Sequence, residues 1–264
     1  IWFTVNHNAE AETVKIYYRQ RAKLKKLIDI CNEHKTALRI GVNHGSLAQH
    51  VMDKYGDTPQ GMAESAMEYL RLCHKLGFDN VVVSMKASNT MVMVESVRIL
   101  CAMMKDEGMD YPLHLGVTEA GNGEDGRIKS AAGIGGLLLR GIGDTLRISL
   151  TDEPVKEIAA AKDILKCIGK RKGVTIVSCP TCGRTRIDLI GTAKKVEAAL
   201  ADSEKDITVA VMGCVVNGPG EAREADIGIA GGDGCAVIFK KDGTQRKIKE
   251  EEIVSELLAE VEKL

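Results

Sequence analysis

Three cysteines stand in an arrangement suited to a metal centre. Cys179 and Cys182 lie in SCPTCGRT (178–185), and Cys214 lies in MGCVVNGPGEA (212–222). A Cys-x-x-Cys turn puts two sulfurs on one side of a tight loop, where a single centre can take both. Pro180 stiffens that loop and removes an amide donor. Gly183 leaves room for backbone amides to approach the sulfurs, and such bonds tune a reduction potential. Cys214 closes an apolar, strand-like run and precedes a Gly-Pro-Gly turn at 218–220. An iron–sulfur cluster ranks first among the chemistries these residues could carry. Structural zinc ranks second. It needs four ligands, there is no second Cys-x-x-Cys, and no His follows His114, so Cys235 or a carboxylate would have to serve. A thioredoxin-like redox pair ranks third, because it leaves Cys214 idle. Three inert packing cysteines are the plain alternative, but a CPxC turn and a Cys between Gly and a Gly-Pro-Gly loop are poor packing choices. Three thiolates leave one iron of a four-iron cluster without a Cys. Glu221, directly after the turn, is the candidate carboxylate, a weaker and exchangeable ligand; from the residues alone, a plain surface Glu is an equal reading.

A second set of candidates lies upstream. Charged or polar residues recur where successive apolar runs end: Asn43, Lys86 with Ser88, Glu119, and Arg147 with Ser149. The runs are ALRIGVN (37–43), FDNVVVSMKAS (78–88), YPLHLGVTEAG (111–121) and GDTLRISL (143–150), separated by helix-like segments at 59–76, 90–107, 127–140 and 154–169. A further helix is expected over 9–34, and a strand over 1–6. Strict strand–helix alternation calls for a parallel sheet, and near-continuous apolar strands imply that both faces are covered. A (β/α) barrel places its active site at the carboxyl ends of its strands. Five strands are fewer than the eight a closed barrel needs, so the alternation fits an open α/β sheet or part of a barrel.

After Lys170 the pattern changes. KRKG (170–173) reads as a hinge. Beyond it come strands over 174–178 and 207–213, a helix over 187–202, short strands near 226–230, 235–240 and 244–248, and a last helix over 250–263. The expected organisation is therefore α/β: a partial (β/α) TIM-type barrel over 1–169, followed by a small α+β domain over 170–264 that carries the cysteines.

Composition narrows the partners. With 36 Lys plus Arg against 37 Asp plus Glu, the net charge of −1 gives no electrostatic reason to expect nucleic acid or an anionic membrane. Any anion site must come from local placement of a few basic side chains. No apolar run is long enough to span a bilayer. The N-terminus lacks a signal-peptide pattern and an initiator Met, and is read as an internal start. The expected location is the bacterial cytoplasm. Four of the other cysteines, Cys31, Cys73, Cys101 and Cys167, sit singly in helix-like patterns and are read as small buried hydrophobes rather than disulfide partners.

Taken together, SCPTCGRT and GCVVNGPGEA, with RIGVNHGSL, VSMKAS, LHLGVTEAG and GIGDTLRISL in the same order, resemble the 4-hydroxy-3-methylbut-2-enyl diphosphate synthases, iron–sulfur reductases of non-mevalonate isoprenoid synthesis. The resemblance runs from about Ala37 to the C-terminus. It implies a barrel, a 4Fe-4S cluster held by Cys179, Cys182, Cys214 and Glu221, and reduction of 2-C-methyl-D-erythritol 2,4-cyclodiphosphate with electrons from ferredoxin or flavodoxin. It also implies substrate contacts at Arg39, Asn43, Lys86, Arg147, Ser149 and Asn217, a carboxylate near the leaving hydroxyl at Glu119, and a homodimer in which the barrel of one chain faces the cluster domain of the other. Glu119 would serve as a proton donor if burial raised its pKa. Departures from the family are equally specific. Thr4-Val5-Asn6-His7-Asn8 stands where the family reads Arg-Ile-Asn-Pro-Gly-Asn, and roughly three early barrel strands have no counterpart. His44 and the stretch 105–127 look like the longer, plant-type branch, yet 170–178 passes straight to the cysteine domain without that branch's middle domain. The alternative expectation is a truncated, inactive metal-binding remnant of such an enzyme.

Overall fold

The computed structural model describes residues 13–201, 203–216, 220 and 222–264, with side chains from residue 22 onward. The expected strand at 1–6 and the site candidates Asn217 and Glu221 lie outside the described residues. The chain divides into two compact units, Ile1–Ile168 and Gly169–Leu264.

Unit 1 alternates strands and helices: α1 (Thr13–Glu33), β1 (Leu38–Asn43), α2 (Gln49–Tyr55), α3 (Pro59–Lys75), β2 (Val81–Lys86), α4 (Thr90–Asp106), β3 (His114–Leu115), α5 (Gly123–Ser130), a π-helical turn (Ala131–Gly135), α6 (Gly136–Leu138), β4 (Thr145–Leu146) and α7 (Pro154–Cys167). Local chemistry sets the boundaries. Thr58 accepts the Gly61 N–H at 3.1 Å and Pro59 opens α3, while Asn89 caps α4 by accepting from Met91 and Val92. Helix α2 is an addition to the expected pattern, in the stretch after HGSL. It is a short helix stopped at Gly56, whose positive φ of 68° continues no helix.

All strand pairs of unit 1 are parallel and neighbours in sequence are neighbours in space. β1 pairs with β2, β3 with β4, and single bridges Val83–Leu113 and Ala87–Val117 join β2 to β3. Among the described residues the strands do not close on themselves. The runs expected as full strands over 111–121 and 143–150 are regular for only two residues each, with further pairing at the Gly121–Leu150 bridge. One cause is at the entry to β4, where the Asp144 carboxylate takes the Leu113 N–H at 2.8 Å.

Side chains alternate across each strand. Leu38, Ile40 and Val42, then Val81, Val83 and Met85, then Leu113, Leu115 and Val117, with Ile148, enter one buried cluster with helix residues such as Met62, Met67, Leu70, Met93 and Leu100. Methionine and aliphatic residues fill this core in a chain that is only 3% aromatic. The opposite parity carries Arg39, Gly41, Asn43, Ser84, Lys86, His114, Gly116, Thr145, Arg147 and Ser149. Of the four cysteines read as buried, Cys31 and Cys73 are buried and Cys101 is partly so, but Cys167 is exposed. It is the last residue of α7, where the helix gives way to Gly169 and the apolar stripe has run out.

Unit 2 is a five-stranded mixed sheet in the order β5 (Thr175–Ser178), β6 (Thr208–Met212), β7 (Ile227–Gly231), β8 (Cys235–Lys240) and β9 (Gln245–Lys249). The first three strands are parallel and the last two antiparallel. Helices α8 (Leu189–Leu200) and α9 (Ile253–Glu262) share a core with one face, through Val196, Leu257 and Val261 against Val209, Val211, Ile227 and Ile229. The other parity holds a smaller cluster of Ala210, Met212, Ala222, Ala225, Ala230 and Phe239, against which Cys179 packs.

Candidate functional sites

In unit 1 the register places the site residues in rows. Gly41, Ser84, His114 and Thr145 form one row. Asn43, Lys86, Gly116 and Arg147 form the next toward the carboxyl ends. Two glycines make the room. A Cβ on Gly41 would sit 3.2 Å from Lys86 Nζ, and one on Gly116 would sit 3.3 Å from Arg147 Nε and 2.9 Å from the Arg147 carbonyl. Both long side chains therefore lie across the sheet over a neighbouring strand that offers no side chain of its own.

The basic groups crowd one another. Burial, then Arg147 and Arg39, lower Lys86 from its ordinary value. Burial also lowers Arg147, with Arg39 adding to it and Glu157 on α7 opposing it. Glu157 also holds the backbone here. Its carboxylate accepts the Leu150 N–H at 2.9 Å and so fixes the chain after Arg147 and Ser149. Like charges assembled in a half-buried place at strand ends are a signature of a site that binds an anion. Asp57 holds the loop after Asn43, accepting the Gly45 N–H at 3.1 Å and approaching His44 Nε2 at 3.5 Å.

His114 is not among the site candidates of the sequence, although it stands in the stretch LHLGVTEAG. Its Nδ1 is 2.8 Å from Thr145 Oγ1. Among the described residues, its Nε2 and Arg147 Nη2 are buried without a hydrogen-bond partner. Burial, together with Arg39, Arg147 and Lys86, pushes its pKa down to about 4, so the ring is neutral at physiological pH. The unfolded chain, with a His near 6.5, takes up a proton before the folded one does. Stability is thus full above about 6.5 and falls as pH drops toward about 4. Thermal melts across that window should show a shallower acid slope for His114→Gln than for the parent chain.

Glu119 lies in a turn beyond β3 and is exposed, so the burial on which its proton-donor role depends is not met within this unit. Its backbone is unusual instead. With φ of 52° it is one of two non-glycine residues, with Lys35, found in the left-handed region among those described. The next amide, Ala120 N–H, donates to the Ser149 carbonyl at 3.2 Å, which ties this turn to the chain just beyond β4.

In unit 2 the cysteines lie at one edge. Cys179 follows β5 and Cys214 follows β6 by two residues, and these strands are parallel neighbours with Ser178 level with Val211. The Gly213 N–H donates to Cys179 Sγ at 3.2 Å. The amide that reaches a sulfur from across the loop is thus Gly213, while Gly183 faces open space. Gly213 cannot carry a side chain without crowding Thr185, whose hydroxyl accepts the Cys182 N–H at 3.2 Å. Cys182 is exposed, and the Arg184 backbone amide, the Arg184 side chain and Thr185 hold its thiol below the ordinary range. Cys214 is buried and Cys179 partly so. Among the described residues no three His, Cys, Asp or Glu groups converge closely enough to hold a metal ion.

Residues 10–162 match the GcpE TIM-barrel domain and residues 175–263 match the GcpE protein C-terminal domain. The chain belongs to the GcpE family. It is 53% identical to the 4-hydroxy-3-methylbut-2-en-1-yl diphosphate synthase (flavodoxin) of Clostridium perfringens, over 92% of this chain and 68% of that protein. The flavodoxin enzyme of Geobacter sulfurreducens is 49% identical over 93% of the chain and 69% of its own length. The synthase of Synechococcus sp. strain CC9902, named as ferredoxin-dependent, is 49% identical over 94% of the chain and 62% of its own length. The chain thus spans about two thirds of the length of these GcpE relatives. No helix among the described residues is long and apolar enough to cross a membrane.

Proposed function

We propose that this GcpE-family chain contributes the anion-binding strand ends and the cysteine domain of a 4-hydroxy-3-methylbut-2-enyl diphosphate synthase. The observation that carries this reading is the row of Lys86 and Arg147, each lying over a glycine of its neighbouring strand, in a chain about 50% identical to named synthases. The four parallel strands of unit 1 are read as an arc of a TIM-type barrel, residues 1–169, with 170–264 as the cluster domain. The reaction reduces 2-C-methyl-D-erythritol 2,4-cyclodiphosphate. Two electrons and two protons enter, one ring C–O bond to the diphosphate and one C–OH bond break, and water leaves. Flavodoxin or ferredoxin is the electron source, and a homodimer is the assembly proposed.

The residues divide the work. Arg39, Lys86 and Arg147 neutralise the diphosphate, Asn43, Ser149 and Asn217 hydrogen-bond the substrate, and Glu119 delivers a proton to the departing hydroxyl once bound substrate buries it. Charge-assisted bonds to phosphate oxygens are the stronger kind, and the crowding of Lys86 and Arg147 is relieved when an anion arrives. Cys179, Cys182 and Cys214, with Glu221 as the exchangeable fourth, are the residues that would hold a four-iron–four-sulfur cluster. The donor types suit that group: cysteines that follow the neighbouring strands β5 and β6, with one sulfur receiving an amide and one thiol held below its ordinary pKa. Such a cluster supplies single electrons and an iron with a replaceable ligand.

Anaerobically prepared protein should contain about four irons and four sulfides per chain, and Cys214→Ser should lose most of both. One tightly bound zinc without sulfide would overturn the cluster assignment and leave the anion face standing.

A further inference from the structure

His114 lies in the row directly below Lys86 and Arg147, between Ser84 and Thr145. Three basic groups bear on its ring: Arg39 from β1, Lys86 from β2 and Arg147 from just after β4. One ring nitrogen is engaged, with Nδ1 at 2.8 Å from Thr145 Oγ1. The other, Nε2, is buried without a partner among the described residues, and so is Arg147 Nη2. A buried polar atom left unpaired is costly, and two in one basic niche call for a shared partner.

We propose that His114 is an additional ligand-binding residue of this face: anchored at Nδ1 by the Thr145 hydroxyl, it donates its Nε2–H to an oxygen of the bound diphosphate, beside Arg147 Nη2. The inference rests on the reading of this face as an anion site.

The chemistry is that of a tautomer. A neutral imidazole has one N–H, and a hydroxyl can either give or accept a hydrogen bond. Without a bound anion the surrounding cations favour a lone pair at Nε2, so the ring proton sits on Nδ1 and points to Thr145 Oγ1. An anionic oxygen reverses that field. The proton then belongs on Nε2, and the Thr145 hydroxyl turns its own hydrogen toward Nδ1. No net proton is taken up, and the niche gains a donor without gaining a charge. A cationic His there would add a fourth positive charge to groups that already repel.

The test uses the full chain carrying its cluster, with 2-C-methyl-D-erythritol 2,4-cyclodiphosphate as the probe. Nitrogen-15 spectra of the His114 ring should show the Nδ1–H tautomer alone and the Nε2–H tautomer with ligand. In calorimetric titrations His114→Gln, whose amide nitrogen reaches the Nε2 position, should bind nearly as tightly as the parent chain. His114→Asn, whose amide reaches only the Nδ1 position, should bind about tenfold to hundredfold more weakly. Equal weakening of both variants with no ligand-dependent tautomer would reduce His114 to a filler and overturn the proposal. Parental affinity in His114→Asn while Lys86→Ala has lost binding would also overturn it, leaving the anion face intact. Parental affinity in Lys86→Ala as well would remove the anion face itself.

Discussion

Lys86→Ala and Arg147→Ala should each lower kcat/KM of the complete enzyme by about tenfold to hundredfold, and the double variant by more than either. Each substitution removes a charge-assisted contact to phosphate, worth roughly 1.5–3 kcal/mol. Without a bound anion the electrostatics give stability the opposite sign. Arg147 bears unfavourably on Lys86, so Arg147→Ala relieves a repulsion. That variant should therefore keep much of its melting temperature while losing substrate affinity. The measurement is a steady-state KM and kcat series beside thermal melts with and without the cyclic diphosphate. A variant that keeps its ligand-induced rise in melting temperature would show that its side chain does not meet the phosphates.

Glu119→Gly should split stability from turnover even more sharply. The φ of 52° at Glu119 is a conformation glycine adopts freely. Relief of that strain is worth about 1 kcal/mol, so the variant should melt at the same temperature as the parent or higher. Loss of a positioned proton donor costs about 100-fold to 10,000-fold in kcat. Glu119→Gln, which keeps the backbone and removes the proton, should be equally slow with no gain in stability. Full activity in Glu119→Gln would take the proton-transfer role away from this residue.

Much of this arrangement is legible in the residues themselves. The alternation of apolar runs with helix-like segments points to a parallel sheet, and the pairs β1–β2 and β3–β4 are parallel. Polar strand ends point to Asn43, Lys86 and Arg147, since a strand buried on both faces has reason to change character only where it emerges. The cysteine pattern finds the edge shared by β5 and β6. What escapes is whatever depends on tertiary placement. His114 sits inside an apolar run, where a histidine looks like packing, and only the register with Ser84 and Thr145 brings it under the basic groups. The Glu119 turn hides in a stretch that reads as a strand. Gly213 looks like a mere strand terminator until its amide is seen 3.2 Å from Cys179 Sγ. Asn217 and Glu221, whose roles rest on the family resemblance alone, lie outside the described residues.

The two glycines of the unit 1 face bear on inhibition. The space over Gly41 and Gly116 exists because those positions have no side chain, and Lys86 and Arg147 fill it. An inhibitor that grips those two cations would be hard to evade by a single codon change at either glycine. Any residue larger than glycine at 116 strikes the Arg147 backbone at 2.9 Å, and any at 41 crowds the Lys86 ammonium at 3.2 Å. Resistance by substitution at either glycine would thus disturb the two basic side chains themselves, and escape would have to come from elsewhere, through export or overproduction of the protein.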